Sequence, residues 1–156
     1  MTREHKDRAA ALEKMQAICS RAEKCQFDIE QKLHDYPLSN EDRDWIIQKL
    51  REEKFIDDER FAGFFVKDKF RINRWGKLKI RQALKMKHIR EDIIVKKLEE
   101  IDEADYNDFL MEILDKKNRE LKDTNIYNRK GKLYRFAAQR GFESEKVYTA
   151  IDLLLS

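Results

Sequence analysis

The chain has 156 residues, 42% of them charged, with a single proline, four glycines and a net charge of only +3. That length suits one compact domain or several small units in series. So much charge with so few turn residues argues for long, solvated helices and against an all-β fold, which needs many turns. No apolar run approaches the roughly 20 residues needed to cross a bilayer, and Met1-Thr2-Arg3-Glu4-His5-Lys6 lacks the apolar core of a secretion signal.

In chain order, residues 1–8 are expected as a polar tail. Leu12, Met15, Cys19 and Ala22 then recur at helical spacing and form one apolar stripe. Cys25 stands just before the short stretch Gln26-Phe27-Asp28-Ile29. A thiol at a helix start can have a lowered pKa and enhanced reactivity; a half-buried structural cysteine is the plainer alternative. Cys19, on the stripe, is expected in the core. Two cysteines fit a reducing cytoplasm. Pro37 locks φ near −65° and forbids a left-handed turn. Ser39 or Asn40 is therefore expected to start the next helix as its cap. Trp45, Ile46 and Leu50 are expected to face a core.

The segment Phe55-Ile56-Asp57-Asp58-Glu59-Arg60-Phe61-Ala62 follows. Asp57 or Asp58 can accept hydrogen bonds from the free N–H groups of the next helix and complement its dipole. Phe61, Ala62, Phe65 and Val66 give that helix its apolar face. Trp75-Gly76-Lys77-Leu78-Lys79-Ile80 and Leu84 then read as a further helix begun at Gly76. Tyr106, Phe109, Leu110, Ile113 and Leu114 form a third long stripe.

An internal repeat links these pieces. Ile29 leads by nine residues to Leu38, Ile80 to Ile89, and Leu133 to Phe142. Four residues after each first anchor sit Leu33, Leu84 and Ala137. Ile94 and Leu98 follow Ile89 at the intervals by which Val147 and Ile151 follow Phe142. In the first copy the corresponding residues, Ile46 and Leu50, fall three positions later. The pattern predicts three copies of a long helix followed by two shorter ones, at 9–57, 58–102 and 103–156. One copy buries too little alone, so neighbours should stack. The turn inside a copy calls for a left-handed residue. Gly141 supplies it in the third copy, and His88 is expected to do so in the second, at a steric cost that glycine would relieve.

Charge is sharply divided. From Phe61 to Arg90 there are ten basic residues and one acid, a local charge of +9; from Glu91 to Glu112 there are nine acids and two lysines, or −7. Such a split favours one oriented surface meeting an acidic or mixed partner, the plain alternative being solvated outer faces. Trp75, amid the basic run, can stack on bases, anchor a protein contact or pack between copies.

The stretch from Phe55 to Arg90 resembles the central motif of the RecX family, bacterial regulators of the recombinase RecA. The pattern there is an Asp-Asp step, Arg-Phe-Ala, then glycine, basic residues and a short helix. The resemblance extends over about residues 9–155. It implies an all-α protein of tandem three-helix repeats in an elongated, curved, right-handed or open arrangement. It also implies a non-enzymatic, monomeric, cytoplasmic regulator. Such a protein binds along the groove of the RecA filament, bridges subunits and damps ATP hydrolysis, strand exchange and repressor cleavage during DNA repair and the SOS response. Contact residues expected on this reading are Lys67, Lys69, Arg71, Arg74, Trp75, Lys77, Lys79 and Arg81 in the second copy. Lys130, Lys132 and Arg135 are expected in the third. Beside the filament, weak direct contact with single- or double-stranded DNA is expected; the alternatives are a stand-alone DNA-binding helical module, since three-helix units look like helix-turn-helix domains, and a simple scaffold that binds other helices.

No enzyme chemistry is legible. Ser20, Ser39, Ser144 and Ser156 all lie in polar or terminal settings, and His5, His34 and His88 lie in unrelated segments without metal-ligand spacing. Four isolated glycines make no phosphate loop. Neither a cofactor nor a metal is expected.

Overall fold

A computed structural model of the chain describes residues 3–156, with side chains from Lys6 onward. Met1, Thr2 and the side chain of His5 lie outside the described residues. The described residues form nine helices and no strand: α1 (Arg3–Arg21), α2 (Gln26–Leu33), α3 (Asn40–Glu52), α4 (Asp58–Arg71), α5 (Lys77–Met86), α6 (Glu91–Glu99), α7 (Glu103–Glu120), α8 (Ile126–Gln139) and α9 (Ser144–Leu155). The fold is all-α, in tandem groups of three helices. Two expectations need correcting. Helix α1 already runs from Arg3, so most of the expected tail is helical. Ala22 lies beyond the end of α1 and is exposed, and the first apolar stripe is completed by Ile18 instead.

Helix starts follow from side chains that satisfy free N–H groups. The Ser39 hydroxyl accepts from the Asp42 N–H at 3.1 Å and fixes the start of α3. Asp102 does the same for α7 and Asn125 for α8, each at 3.1 Å. Asp57 accepts from the Arg60 N–H at 3.1 Å and caps α4. Asp58 caps a different helix: its carboxylate accepts from the Gln26 N–H at 2.9 Å, at the start of α2. Two adjacent carboxylates thus serve two helix ends, which the sequence alone does not separate.

Helix ends use the left-handed region where expected and also where not. His88 has φ 59° and Gly141 φ 94°. Around Gly141 the Phe142 N–H donates to the Ala137 carbonyl at 3.2 Å and the Gly141 N–H to Ala138 at 3.0 Å, the Schellman pattern. Lys54 (φ 60°) and Arg74 (φ 58°) are left-handed as well, and nothing in a lysine or arginine announces that.

The described chain packs as two compact units, divided inside α4. One comprises the residues up to Phe64 together with Lys87–Ile89. Its core joins Ala11 and Met15 of α1, Ile29 and Leu33 of α2, Ile46, Ile47 and Leu50 of α3, and Ile56; Cys19, Leu38 and Trp45 pack against it half-buried. The Arg8 guanidinium lies 4.1 Å from the Trp45 ring centroid. The other unit comprises Phe65–Met86 and Arg90–Ser156. Its buried apolar residues include Val66, Phe70, Ile80, Leu84, Ile94, Leu110, Leu114, Leu133, Phe142, Val147 and Ile151.

Both units repeat one interlock. In each, the start of a short helix meets the within-copy turn of the following copy. In the first unit, α2 receives Lys87 and His88. Lys87 Nζ is 2.6 Å from Asp28, and the His88 ring lies 4.4 Å from Phe27. In the second, α5 receives Arg140 and Gly141. The Gly76 N–H donates to the Arg140 carbonyl at 2.7 Å, and the Leu78 N–H to Gly141 at 2.9 Å. The Tyr106 hydroxyl accepts from the Lys77 N–H at 2.9 Å and also bonds the Glu143 carboxylate. Burial and that carboxylate push the Tyr106 pKa up, so the phenol stays a neutral donor.

Candidate functional site

All the expected contact residues fall in the second unit. Lys67 projects from α4, is exposed and takes part in no ion pair among the described residues. Lys69 and Lys79 converge on half-buried Trp75. Their ammonium groups stand 4.8 and 4.5 Å from its ring centroid, and Lys69 is also 5.4 Å from Phe65. Lys77 lies 4.8 Å from the Tyr106 ring. Cations over aromatic faces are attracted by the ring quadrupole. These contacts fix where the charges point but do not neutralise them.

The arginines are differently placed. Arg74 reaches Glu112 at 2.9 Å and lies 4.1 Å from the Phe109 ring, which itself stacks on Phe70 at 4.5 Å. Arg71 is 3.9 Å from Asp105. Arg81 pairs with Glu91, and Lys85 is 3.8 Å from the same carboxylate. The acidic stretch after Glu91 is therefore in part the internal counterion of the basic stretch before it. This accounts for much of the charge split without any partner. Exposed pairs of this kind contribute about 0–1 kcal/mol each. Among the described residues Lys67, Lys69 and Lys79 of this stretch keep no carboxylate, and Lys77 forms no ion pair but lies within the electrostatic reach of Glu103.

In the third copy Lys130 and Arg135 are exposed, whereas Lys132 is held 3.2 Å from Asp123. Arg129, which sequence reasoning does not single out, binds the carbonyls of Asn118, Leu121 and Asp123 and pins the loop before α8. Its role has no sequence signal, because the acceptors are backbone oxygens.

Cys25 is not a reactive thiol. It is fully buried, and burial pushes its pKa up to about 11 although the Asp28 N–H opposes the shift. Cys19 is likewise pushed up, by burial first and then by Glu23. Among the described residues no group of three or more His, Cys, Asp or Glu is placed to hold a metal ion. No helix among them is long and apolar enough to cross a membrane.

Tandem three-helix repeats interlocked through helix starts define a helical-repeat protein whose surface chemistry is charge and exposed aromatics. Comparison with known proteins agrees. Residues 57–98 match the RecX second three-helix domain, and residues 105–151 the RecX third three-helix domain. Regulatory protein RecX of Chlorobium phaeobacteroides is 35% identical over 121 residues, covering 78% of each chain. That of Clostridium tetani is 34% identical over 138 residues, 83% of this chain and 62% of its own. That of Clostridium perfringens strain 13 is 35% identical over 99 residues, 62% of this chain and 46% of its own. The chain thus spans about half to three-fifths of these clostridial relatives. A crystal structure of regulatory protein RecX superposes with a TM-score of 0.86 at 26% identity, over 96% of this chain and 73% of the other. RecX from Lactobacillus salivarius shares the fold, with a TM-score of 0.86 at 20% identity over 96% and 97% of the two chains. The chain belongs to the RecX family.

Proposed function

We propose that this protein is a non-enzymatic regulator that binds the RecA filament along its groove and inhibits its ATPase, recombinase and coprotease activities. On this reading it acts in the cytoplasm as a monomer, with the chain divided into copies at 9–57, 58–102 and 103–156. Family membership supports the partner. The observation that carries the site is the set Lys67, Lys69 and Lys79, cations left without carboxylates among the described residues, in a segment whose arginines are matched. Uncompensated charge on one segment attracts carboxylates and phosphates and steers association. Trp75, held between Lys69 and Lys79, supplies the adjoining aromatic surface, of the kind that anchors interfaces.

The test is a titration of RecA ATP hydrolysis on single-stranded DNA. Inhibition is expected below one regulator per recombinase monomer, because each chain would bridge neighbouring subunits. No inhibition at equimolar protein would overturn the reading. A stand-alone DNA-binding module would instead show tight binding to bare DNA with a steep salt dependence.

A further inference from the structure

Helices α7 and α8 of the second unit line a cleft of about 330 Å³, at the small end of the range of about 300–1,000 Å³ for ligand clefts. Its apolar lining is Ile113 of α7 and Phe136 of α8, both half-buried. Cations stand against that ring. Lys117 Nζ is 5.3 Å from the Phe136 centroid, and the Arg140 guanidinium is 4.6 Å from it. Backbone contacts fix Arg140 in place. Its carbonyl accepts from the Gly76 N–H at 2.7 Å, and its guanidinium donates to the Asn73 carbonyl at 3.5 Å. Arg74 lines the same cleft from the turn before α5, held by Glu112 at 2.9 Å. Lys116, exposed on α7, completes the set.

The lining carries both signs, and their order matters. Four cations, Arg74, Lys116, Lys117 and Arg140, face two carboxylates, Glu112 and Glu120. Arg74 matches Glu112. Lys116, Lys117, Arg140 and Glu120 form no ion pair among the described residues. Along α7, Lys116 stands one turn after Glu112 and one turn before Glu120, so the lysines are central and a carboxylate lies at either end. From Glu112 to Glu120 the helix rises about 12 Å, the reach of about four extended residues. A long polyanion laid along this cleft runs onto both carboxylates. A base does not find the Phe136 ring free, because Lys117 and Arg140 already stand against it. A short peptide meets every group. Its carboxylates reach Lys116, Lys117 and Arg140, an apolar side chain covers Ile113 and Phe136, and its backbone N–H groups face Glu112 and Glu120.

We propose that the α7–α8 cleft docks a short acidic segment of a partner protein, an apolar residue flanked by carboxylates. Clusters of cations recognise acidic motifs through charge-assisted hydrogen bonds, and the fixed guanidinium of Arg140 lowers the cost of ordering the site. The cleft uses none of Lys67, Lys69 and Lys79 and goes beyond the filament reading.

Fluorescence anisotropy of a labelled peptide, Gly-Ser-Asp-Leu-Glu-Ser-Gly, tests it on the whole chain. Saturable binding with a Kd below about 1 mM is expected. Peptides with Asn and Gln in place of the acids, or Ser in place of Leu, should bind roughly fivefold more weakly or worse. Lys116→Gln is expected to weaken binding by about two- to fivefold, and Glu120→Gln to tighten it by a similar factor. The opposite signs matter, because a damaged fold does not raise affinity. Both side chains are exposed and hold no ion pair among the described residues, so thermal melts of the two variants should match the parent. No saturable binding by the parent, no gain from Glu120→Gln, or no loss from Lys116→Gln would each overturn the proposal. So would displacement of the peptide by oligo(dT) as effectively as by unlabelled peptide, which would make the cleft a phosphate site.

Discussion

Gly76 and Gly141 meet backbone to backbone. A Cβ on Gly76 would stand 2.4 Å from the Gly141 carbonyl carbon and oxygen, and one on Gly141 would stand 2.3 Å from the Lys79 Cβ. Two copies can therefore exchange main-chain hydrogen bonds only because both residues lack side chains. Gly76→Ala is expected to lower stability by about 2–3 kcal/mol, the upper range for overpacking. Gly141→Ala should cost at least as much, since its φ of 94° adds strain. Gly131→Ala is the control. Its Cβ meets only a flexible guanidinium, and helix propensity predicts a gain approaching about 1 kcal/mol. Chemical denaturation of the three variants checks the order.

His88 occupies the place of Gly141 at the other interlock, but its side chain makes a contact of its own there. Relief of its left-handed strain would be worth about 1 kcal/mol. The ring stands 4.4 Å from Phe27, an interaction of the same order, about 0.5–1.5 kcal/mol. His88→Gly is therefore expected to change stability by less than about 0.5 kcal/mol as the two effects cancel. In a Phe27→Ala background the ring pair is already broken, and His88→Gly should then stabilise by about 1 kcal/mol. Thermal melts of the double-mutant cycle decide it. A clear gain from the single substitution would show that the ring pair contributes nothing.

What is legible in the sequence is local. Ile29, Leu33, Ile80, Leu84, Leu133 and Ala137 are all buried, as their spacing requires, because helical periodicity is a property of neighbours in the chain. The left-handed turns at His88 and Gly141 follow from the same alignment of copies. What escapes is pairing at a distance. Gly76 reads as a helix start, yet its stricter constraint is Gly141, far along the chain. Tyr106 reads as one member of an apolar stripe, yet its hydroxyl joins the start of α5 to Glu143. Arg71, Arg74 and Arg81 read as a partner surface because a charge count does not show which acids fold back onto them.

The Asp28–Lys87 pair makes the first interlock sensitive to acid. Burial raises the Asp28 pKa, but Lys87 at 2.6 Å and the Cys25 N–H outweigh it, so the carboxyl titrates below its ordinary value. A folded-state pKa below the unfolded one gives stability that is whole above the ordinary aspartate range. That stability is lost as pH falls through the folded value. Lys87→Met should therefore cost about 1–2 kcal/mol at neutral pH, and the difference from the parent chain should shrink in acid. A constant difference across the pH series would mean that Lys87 acts through packing on Phe61, whose ring lies 5.7 Å away.

Charge reversal can separate contact residues from structural ones. Among the described residues Lys67, Lys69 and Lys79 form no ion pair, so replacing all three by glutamate breaks none, although it strips two cations from the Trp75 face, at about 0.5–1 kcal/mol each. The triple variant is expected to keep its helical content and lose recombinase inhibition by more than about tenfold. Arg74→Glu should behave differently. Arg74 is left-handed, bound to Glu112 and set against Phe109, so reversal puts two carboxylates together and strips a cation from an aromatic face. A loss of about 1 kcal/mol in stability is expected, with the ion pair discounted for its exposure. Any loss of inhibition by that variant must then be read against its melt. Full inhibition by a folded triple-lysine variant would show that this segment is a solvated face and that the filament is met elsewhere on the chain.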